Sequence, residues 1–239
     1  MKKVEKVTLC FVLAMGFLSQ DVHAKRYGET LCNLPDYHCI QVQKGQTWET
    51  LWPNAEHRDL IRRLNRINTG LWAGSSIAVP HRLQTLTLFD VSPFPRKKDP
   101  LGEKIIYINQ KTLAWGAYDA EGALVLWGPI APGQDYCSDI RSRCRTPAGE
   151  FRILRKQGAG CVSSAFPRRA SGRHGGAPMP YCMHFHRGYA LHGSPVVPGY
   201  AASHGCVRLF IEDAKWLNQN FIDLPKAGAL GTRVVIEPL

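Results

Sequence analysis

A chain of 239 residues that is 44% hydrophobic and 21% charged, with 22 Gly and 16 Pro, suits one sizeable domain plus a small one and excludes intrinsic disorder and a collagen-like repeat. The formal net charge of +11 favours anionic partners, yet the basic groups (Arg62-Arg63, Arg96-Lys97-Lys98, Arg168-Arg169) are scattered without an aromatic-interleaved RNA motif, so no nucleic acid is expected. Eight cysteines point to metal or redox chemistry in a cytosolic protein and to disulfides in an exported one, and the N-terminus decides between those readings.

Lys2, Lys3 and Lys6 flank an apolar run from Val7 to Leu18, and Val22-His23-Ala24 then offers small residues where signal peptidase reads. Residues 1–24 are therefore expected to be a signal peptide. The run holds about a dozen residues where a membrane span needs roughly 20, so the processed chain is not expected to cross a membrane. Cys10 leaves with the peptide. The processed chain, Lys25 to Leu239, carries 27 basic and 17 acidic residues, a net charge of +10. In the periplasm or cell wall, such a field suits carboxylated wall polymer or anionic lipid.

After an N-terminal segment, 25–38, residues 39–81 read as a compact unit. A short strand from Cys39 to Val42 and a turn at Lys44-Gly45-Gln46 lead into a helix from Thr47. Leu60, Ile61, Leu64 and Ile67 stripe a second helix, and Ile77 and Val79 alternate in a closing strand before Pro80. Val42-Gln43-Lys44-Gly45-Gln46-Thr47-Trp48, Leu64-Asn65 and Gly74 to Pro80 together resemble a LysM module, a βααβ peptidoglycan-binding unit. Gln46 and Arg66 depart from the Asp and Pro of that pattern.

Residues 82–103, with Pro93, Pro95, Pro100 and Arg96-Lys97-Lys98, suit a stiff polar linker. Beyond it, 104–239 form the expected catalytic domain. Three runs, Lys104 to Asn109, Leu113 to Tyr118 and Leu124 to Ile130, are separated by turns and read as consecutive antiparallel strands. In the first, Ile106 and Ile108 lie on one side and Ile105 and Tyr107 on the other. Ile211, Ala214, Leu217 and Phe221 recur at helical spacing, and Thr232 to Ile236 reads as a last strand.

Chemistry concentrates in Ser203-His204-Gly205-Cys206-Val207-Arg208. A cysteine attacks only as thiolate and needs a base or cation nearby, and His192 and His204 are close in sequence. The amides of Gly205 and Cys206 can face a developing oxyanion, and Arg208 can hold a substrate carboxylate. His192-Gly193 followed by Ser203 to Arg208 resembles the H-G…[S/T]-H-G-C-[IV]-[RN] signature of YkuD-type L,D-transpeptidases. Arg145 to Ile153 is similar to that family's T-P-x-G-x-F-x-I strand, and Met179-Pro180-Tyr181 to the run leading into the strand of the first His.

The resemblance implies a mostly β fold, a YkuD-like β-sandwich with one or two helices behind the small βααβ unit. It implies Cys206 as nucleophile, His192 as base and His204 in support, with Ser203, Arg208 and Tyr181 contacting substrate. The group that orients the base stays open, Gly193 having no side chain and Ser194 having one. The implied reaction is acyl transfer on peptidoglycan stem peptides, releasing D-Ala and passing the thioester to a diaminopimelyl amine, a protein lysine or water, with no cofactor. A hydrolase using the same site and a non-catalytic wall-binding protein are the alternatives.

Cys182, His184, His186, His192, His204 and Cys206 supply zinc-ligand types, but no C-x2-C or H-E-x-x-H spacing occurs and no metal is expected. Seven cysteines remain after processing, an odd number, so one thiol stays free or pairs with another chain. Six can pair in 15 ways; short separations favour Cys32 with Cys39, Cys137 with Cys144, and Cys161 with Cys182.

Overall fold

The computed structural model describes residues 25–167 and 175–239. The expected signal peptide, Cys10 and Arg168-Arg169 lie outside the described residues. Among those described, no helix is long and apolar enough to cross a membrane.

The chain opens with helix α1 (Tyr27–Leu31), strand β1 (Tyr37–Gln41), helices α2 (Trp48–Leu51) and α3 (Ala55–Asn65) and strand β2 (Ser76–Pro80). β1 and β2 pair antiparallel, with Tyr37 opposite Pro80 and Gln41 opposite Ser76. Asn54 caps α3, its side-chain oxygen accepting the His57 N–H at 2.9 Å. The helix stops where Arg66 takes the left-handed conformation, φ 61°. The expected apolar stripe serves two cores. Ile61, and Ile67 just past the helix, pack with Val42, Trp48, Ile77 and Val79 inside the unit. Leu60 and Leu64 instead meet Tyr118 and Trp127 of the following domain.

Residues 82–103 do not span a gap as a polar linker. Leu83, Leu86, Phe89 and Phe94 pack against the cluster of Leu60, Leu64, Tyr118 and Trp127, and Val91 is buried within it. The prolines and charges that read as linker alternate with aromatics and leucines whose burial removes apolar surface from water.

The rest of the chain supplies β3 (Ile105–Asn109), β4 (Ala114–Tyr118), β5 (Leu124–Ala131), β6 (Gly149–Arg152), β7 (Arg155–Lys156), β8 (Met183–His186), β9 (Tyr189–Gly193), β10 (Val207–Leu209), helix α4 (Ile211–Trp216) with a wider turn over Leu217–Phe221, and β11 (Arg233–Ile236). β3, β4 and β5 are consecutive and antiparallel, as expected. The expected sandwich is one nine-stranded sheet in the order β6-β11-β3-β4-β5-β10-β9-β8-β7, curled so that its two halves share a core. Ile106 and Ile108 from β3, Trp115 from β4 and Val234 from β11 meet Met183, Leu191 and Val207 from the other half. Ala214, Leu217 and Phe221 fill the remaining space. The periodicity of each strand is the same in two sheets or in one that curls, so the sequence did not distinguish them.

Candidate active site

β9 and β10 run parallel, with Arg208 opposite His192 and Leu209 opposite Gly193. This register brings the two halves of the signature to neighbouring strand positions, although 13 residues separate His192 from Cys206 in the chain. His192, Ser203, His204, Cys206 and Arg208 line one cleft of about 690 Å³. Gly205 lies between them with φ 113°, and a Cβ there would stand 2.5 Å from Cε1 of Tyr189, so only glycine fits.

His192 is buried, and its Nδ1 lies 2.9 Å from the Gly193 carbonyl oxygen. A carbonyl only accepts, so Nδ1 carries the proton and Nε2 keeps its lone pair. The group that orients His192 is thus a backbone carbonyl. Ser194 has a different duty, its hydroxyl accepting the Val196 N–H at 3.1 Å. Burial pushes the His192 pKa down to about 4, with Arg208 and His184 adding to the fall against the Gly193 carbonyl. Burial pushes the Cys206 thiol up, while the Ala190 backbone and Arg208 pull it down. The resting pair is therefore a neutral thiol and a neutral imidazole at pH 7.

Ser203 closes the turn before Cys206: its hydroxyl donates to the Cys206 carbonyl and accepts the Gly205 N–H. Of the two amides expected at the oxyanion, that of Gly205 is occupied, which leaves that of Cys206. The hydroxyl of Ser203 is engaged within the turn and not extended to substrate. Thr146, from the T-P-x-G-x-F-x-I element, donates from Oγ1 to the Gly205 carbonyl at 2.8 Å and accepts the Gly133 N–H at 2.9 Å, fixing the same turn from below.

His204 has Nε2 2.9 Å from both carboxylate oxygens of Asp139, and its ring packs on Phe166 with centroids 4.6 Å apart. It ties the 137–144 loop to the cleft rim. Arg208 makes no ion pair among the described residues, and Asp213, five positions on, is paired with Arg63 at 2.7 Å. Arg208 remains in the cleft for an anion. Tyr181 is not brought to the cleft. Its backbone has φ 57°, its N–H donates to the Gly158 carbonyl at 3.0 Å, and it packs against the main core. The run containing it leads into β8, and the first His lies on β9.

The three favoured disulfides, Cys32–Cys39, Cys137–Cys144 and Cys161–Cys182, are all present, and Cys206 is the free cysteine among the described residues. Cys161 and Cys182 pack with Met179 and Ala190 against Cys206, so one staple supports the free cysteine directly. Cys137, Asp139 and His204 stand within 4.8 Å of one another, but the disulfide occupies the Cys137 sulfur and leaves two ligand atoms.

Arg155 and His184 also line the cleft. Residues two apart on a regular strand share a face, but a register shift falls between His184 and His186. His186 stacks on Tyr189 with centroids 6.2 Å apart, while His184 is 8% exposed and borders the cleft.

A curled, mostly β domain thus brings a free cysteine and a carbonyl-anchored histidine into one cleft. The family model YkuD, the L,D-transpeptidase catalytic domain, matches residues 103–236, more than half of the chain. The chain belongs to the YkuD family of L,D-transpeptidases and is an enzyme of that class.

Among solved structures, the L,D-transpeptidase from Xylanimonas cellulosilytica DSM 15894 is similar at 24% identity and a TM-score of 0.52, over 75% of this chain and 78% of that one. An L,D-transpeptidase from Mycobacterium smegmatis matches at 18% identity and a TM-score of 0.44, over 57% of this chain and 59% of that one. L,D-transpeptidase 3 from Mycobacterium tuberculosis, in complex with a faropenem-derived adduct, matches at 18% identity and a TM-score of 0.44, over 56% and 60%. The chain spans about three fifths of the length of the two mycobacterial proteins. No curated protein sequence matches the chain.

Proposed function

We propose that this enzyme is exported to the periplasm or cell wall and transfers acyl groups between peptidoglycan stem peptides through a thioester on Cys206. The supporting observation is the buried His192, whose Nδ1–H is fixed on Gly193 and whose Nε2 can accept the Cys206 proton. The thiolate attacks the carbonyl of the diaminopimelyl residue at stem position three, and the oxyanion forms near the Cys206 amide. Collapse breaks the peptide bond, His192 returns the proton to the departing D-Ala amine, and the thioester remains. An acceptor amine then gives up its proton to His192 and displaces the thiolate. A diaminopimelyl amine yields a 3→3 cross-link, a protein lysine attaches a protein to the wall, and water yields a tripeptide. Every step uses side chains and amides of this chain, so the reaction calls for no cofactor.

The N-terminal unit we read as LysM-like, on the strength of its β1-α2-α3-β2 order and the paired outer strands. It would hold the enzyme on the glycan while the cleft works on the peptide.

Mass spectrometry of the protein with a disaccharide-tetrapeptide and with meropenem tests the reaction. D-Ala release and a covalent adduct are expected, and Cys206→Ala should lower both by at least about a thousandfold. Absence of adduct and product in the unsubstituted enzyme would overturn the proposal. Peptide dimers identify transfer; tripeptide alone identifies hydrolysis. Sedimentation of the full-length Cys206→Ala protein with purified wall tests the LysM-like reading, and protein left in the supernatant overturns it.

A further inference from the structure

We propose that Arg155 and His184 form a second carboxylate subsite, separate from Arg208, which recognises a free carboxylate of the acyl donor several bonds from the reacting carbonyl. The inference rests on the stem-peptide reading above and adds a selectivity to it. The described cleft lining contains Arg143, Arg155, Arg208 and His184 and no Asp or Glu. A cleft that exposes cations and no acid is built for an anionic ligand.

Two observations single out this pair. Arg58, Arg63, Arg145, Arg152 and Arg233 each have a carboxylate partner. Arg143 and Arg155 are both exposed at the cleft and have none among the described residues, and of the two only Arg155 stands in register with His184. Below Arg155, His184 is 8% exposed, and its Nδ1 is buried without a hydrogen-bond partner. A buried polar atom left unpaired is unfavourable until a ligand or water satisfies it. The two residues face each other across the β7–β8 pairing, so one carboxylate can meet both. Burial and Arg155 lower the His184 pKa, which leaves a neutral imidazole donor beside a cation.

Position in the sheet says which carboxylate. β8 is two strands from β10 and β7 is three, a displacement on the order of 10 Å or more from the nucleophile's strand. The carboxylate of the departing D-Ala is three bonds from the reacting carbonyl and suits Arg208, which lies opposite His192. Arg155 and His184 reach further. Two donor carboxylates lie at that range, the α-carboxylate of the preceding γ-linked Glu and the far carboxylate of the diaminopimelyl side chain. Conversion of either to an amide removes the charge and places N–H groups against Arg155.

The test measures D-Ala release by the full-length enzyme from three disaccharide-tetrapeptides: both carboxylates free, the Glu α-carboxylate amidated, and the diaminopimelyl carboxylate amidated. The unsubstituted enzyme should show KM about tenfold higher for one amidated donor with kcat little changed, the effect of one charge-assisted hydrogen bond. The affected donor identifies the carboxylate. Arg155→Gln and His184→Asn should raise KM for the free donor and erase the discrimination, while their rate of acylation by meropenem reports an intact Cys206 site. Equal treatment of the three donors by an active enzyme, or discrimination retained in both variants, overturns the subsite alone. An enzyme that neither releases D-Ala nor forms an adduct overturns the transpeptidation reading as well.

Discussion

The interface between the N-terminal unit and the sheet and the cleft at the sheet's end both depend on arginine, in opposite ways. At the interface, Arg63 meets Asp213 through two bonds, 2.7 and 2.9 Å, and also Asp59 at 2.7 Å; Asp213 and Asp59 hold its charge against burial. Arg66 is 1% exposed and donates to the carbonyls of Thr112 and Arg63. In the cleft, Arg208 and Arg155 have no carboxylate partner among the described residues. Paired cations hold the two parts together, and unpaired ones remain for substrate.

The sharpest way to break this contrast is to unpair the interface. Asp213→Ala leaves the Arg63 guanidinium buried beside the more exposed Asp59 alone and should lower stability by about 3 to 5 kcal/mol, read by denaturant titration. Replacing Arg63 and Asp213 together by Met and Leu should recover most of that loss, because the penalty belongs to the orphaned charge.

A smaller effect is expected at Asn68, where the interface touches the loop that follows His192. Its side chain donates to the Ser194 carbonyl and accepts the Val197 N–H, both at 2.7 Å. Asn68→Ala should cost about 1 to 3 kcal/mol in stability and should lower kcat for D-Ala release, because Ser194 adjoins the Gly193 carbonyl that orients His192. An unchanged kcat would confine Asn68 to holding the fold.

The smallest effect is expected from neutralising the cleft. Arg208 lowers the pKa of both Cys206 and His192. Arg208→Met should therefore move both upward: iodoacetamide alkylation of Cys206 shifts to higher pH, and the acid limb of the activity profile, set by His192 protonation, shifts to higher pH too. The unsubstituted thiol should already alkylate with a pKa above that of an ordinary cysteine. A downward shift in the variant would show that Arg208 does not face the thiol.

That reactive and charged side chains would gather in one place was legible in the sequence. Cys206, His192 and Arg208 stand together in the cleft, and the three disulfides follow the shortest separations. What escaped depended on register or on local competition for hydrogen bonds. The Gly193 carbonyl serves His192 because the strand ends there, while Ser194 turns to Val196. Ser203 captures the Gly205 amide, a bond that a sequence pattern does not display. His184 and His186 part company at a register shift that breaks the alternation of a strand. Residues 82–103 read as linker because prolines and charges outweigh their aromatics by count, although the aromatics decide where the segment lies.

The bond between Arg63 and Asp213 joins residues 150 positions apart, with consequences for how the protein is made and cut. Synthesis runs from the N-terminus, so the small unit emerges long before the helix that carries Asp213, and their joint surface is completed only near the end of the chain. A fragment starting at residue 103, where the family match begins, would retain buried Asp213 without its arginine and Trp127 without Leu60 and Leu64. The smallest piece expected to fold as an enzyme therefore includes the N-terminal unit, whose removal would leave the catalytic sheet with an uncovered face and an unneutralised charge.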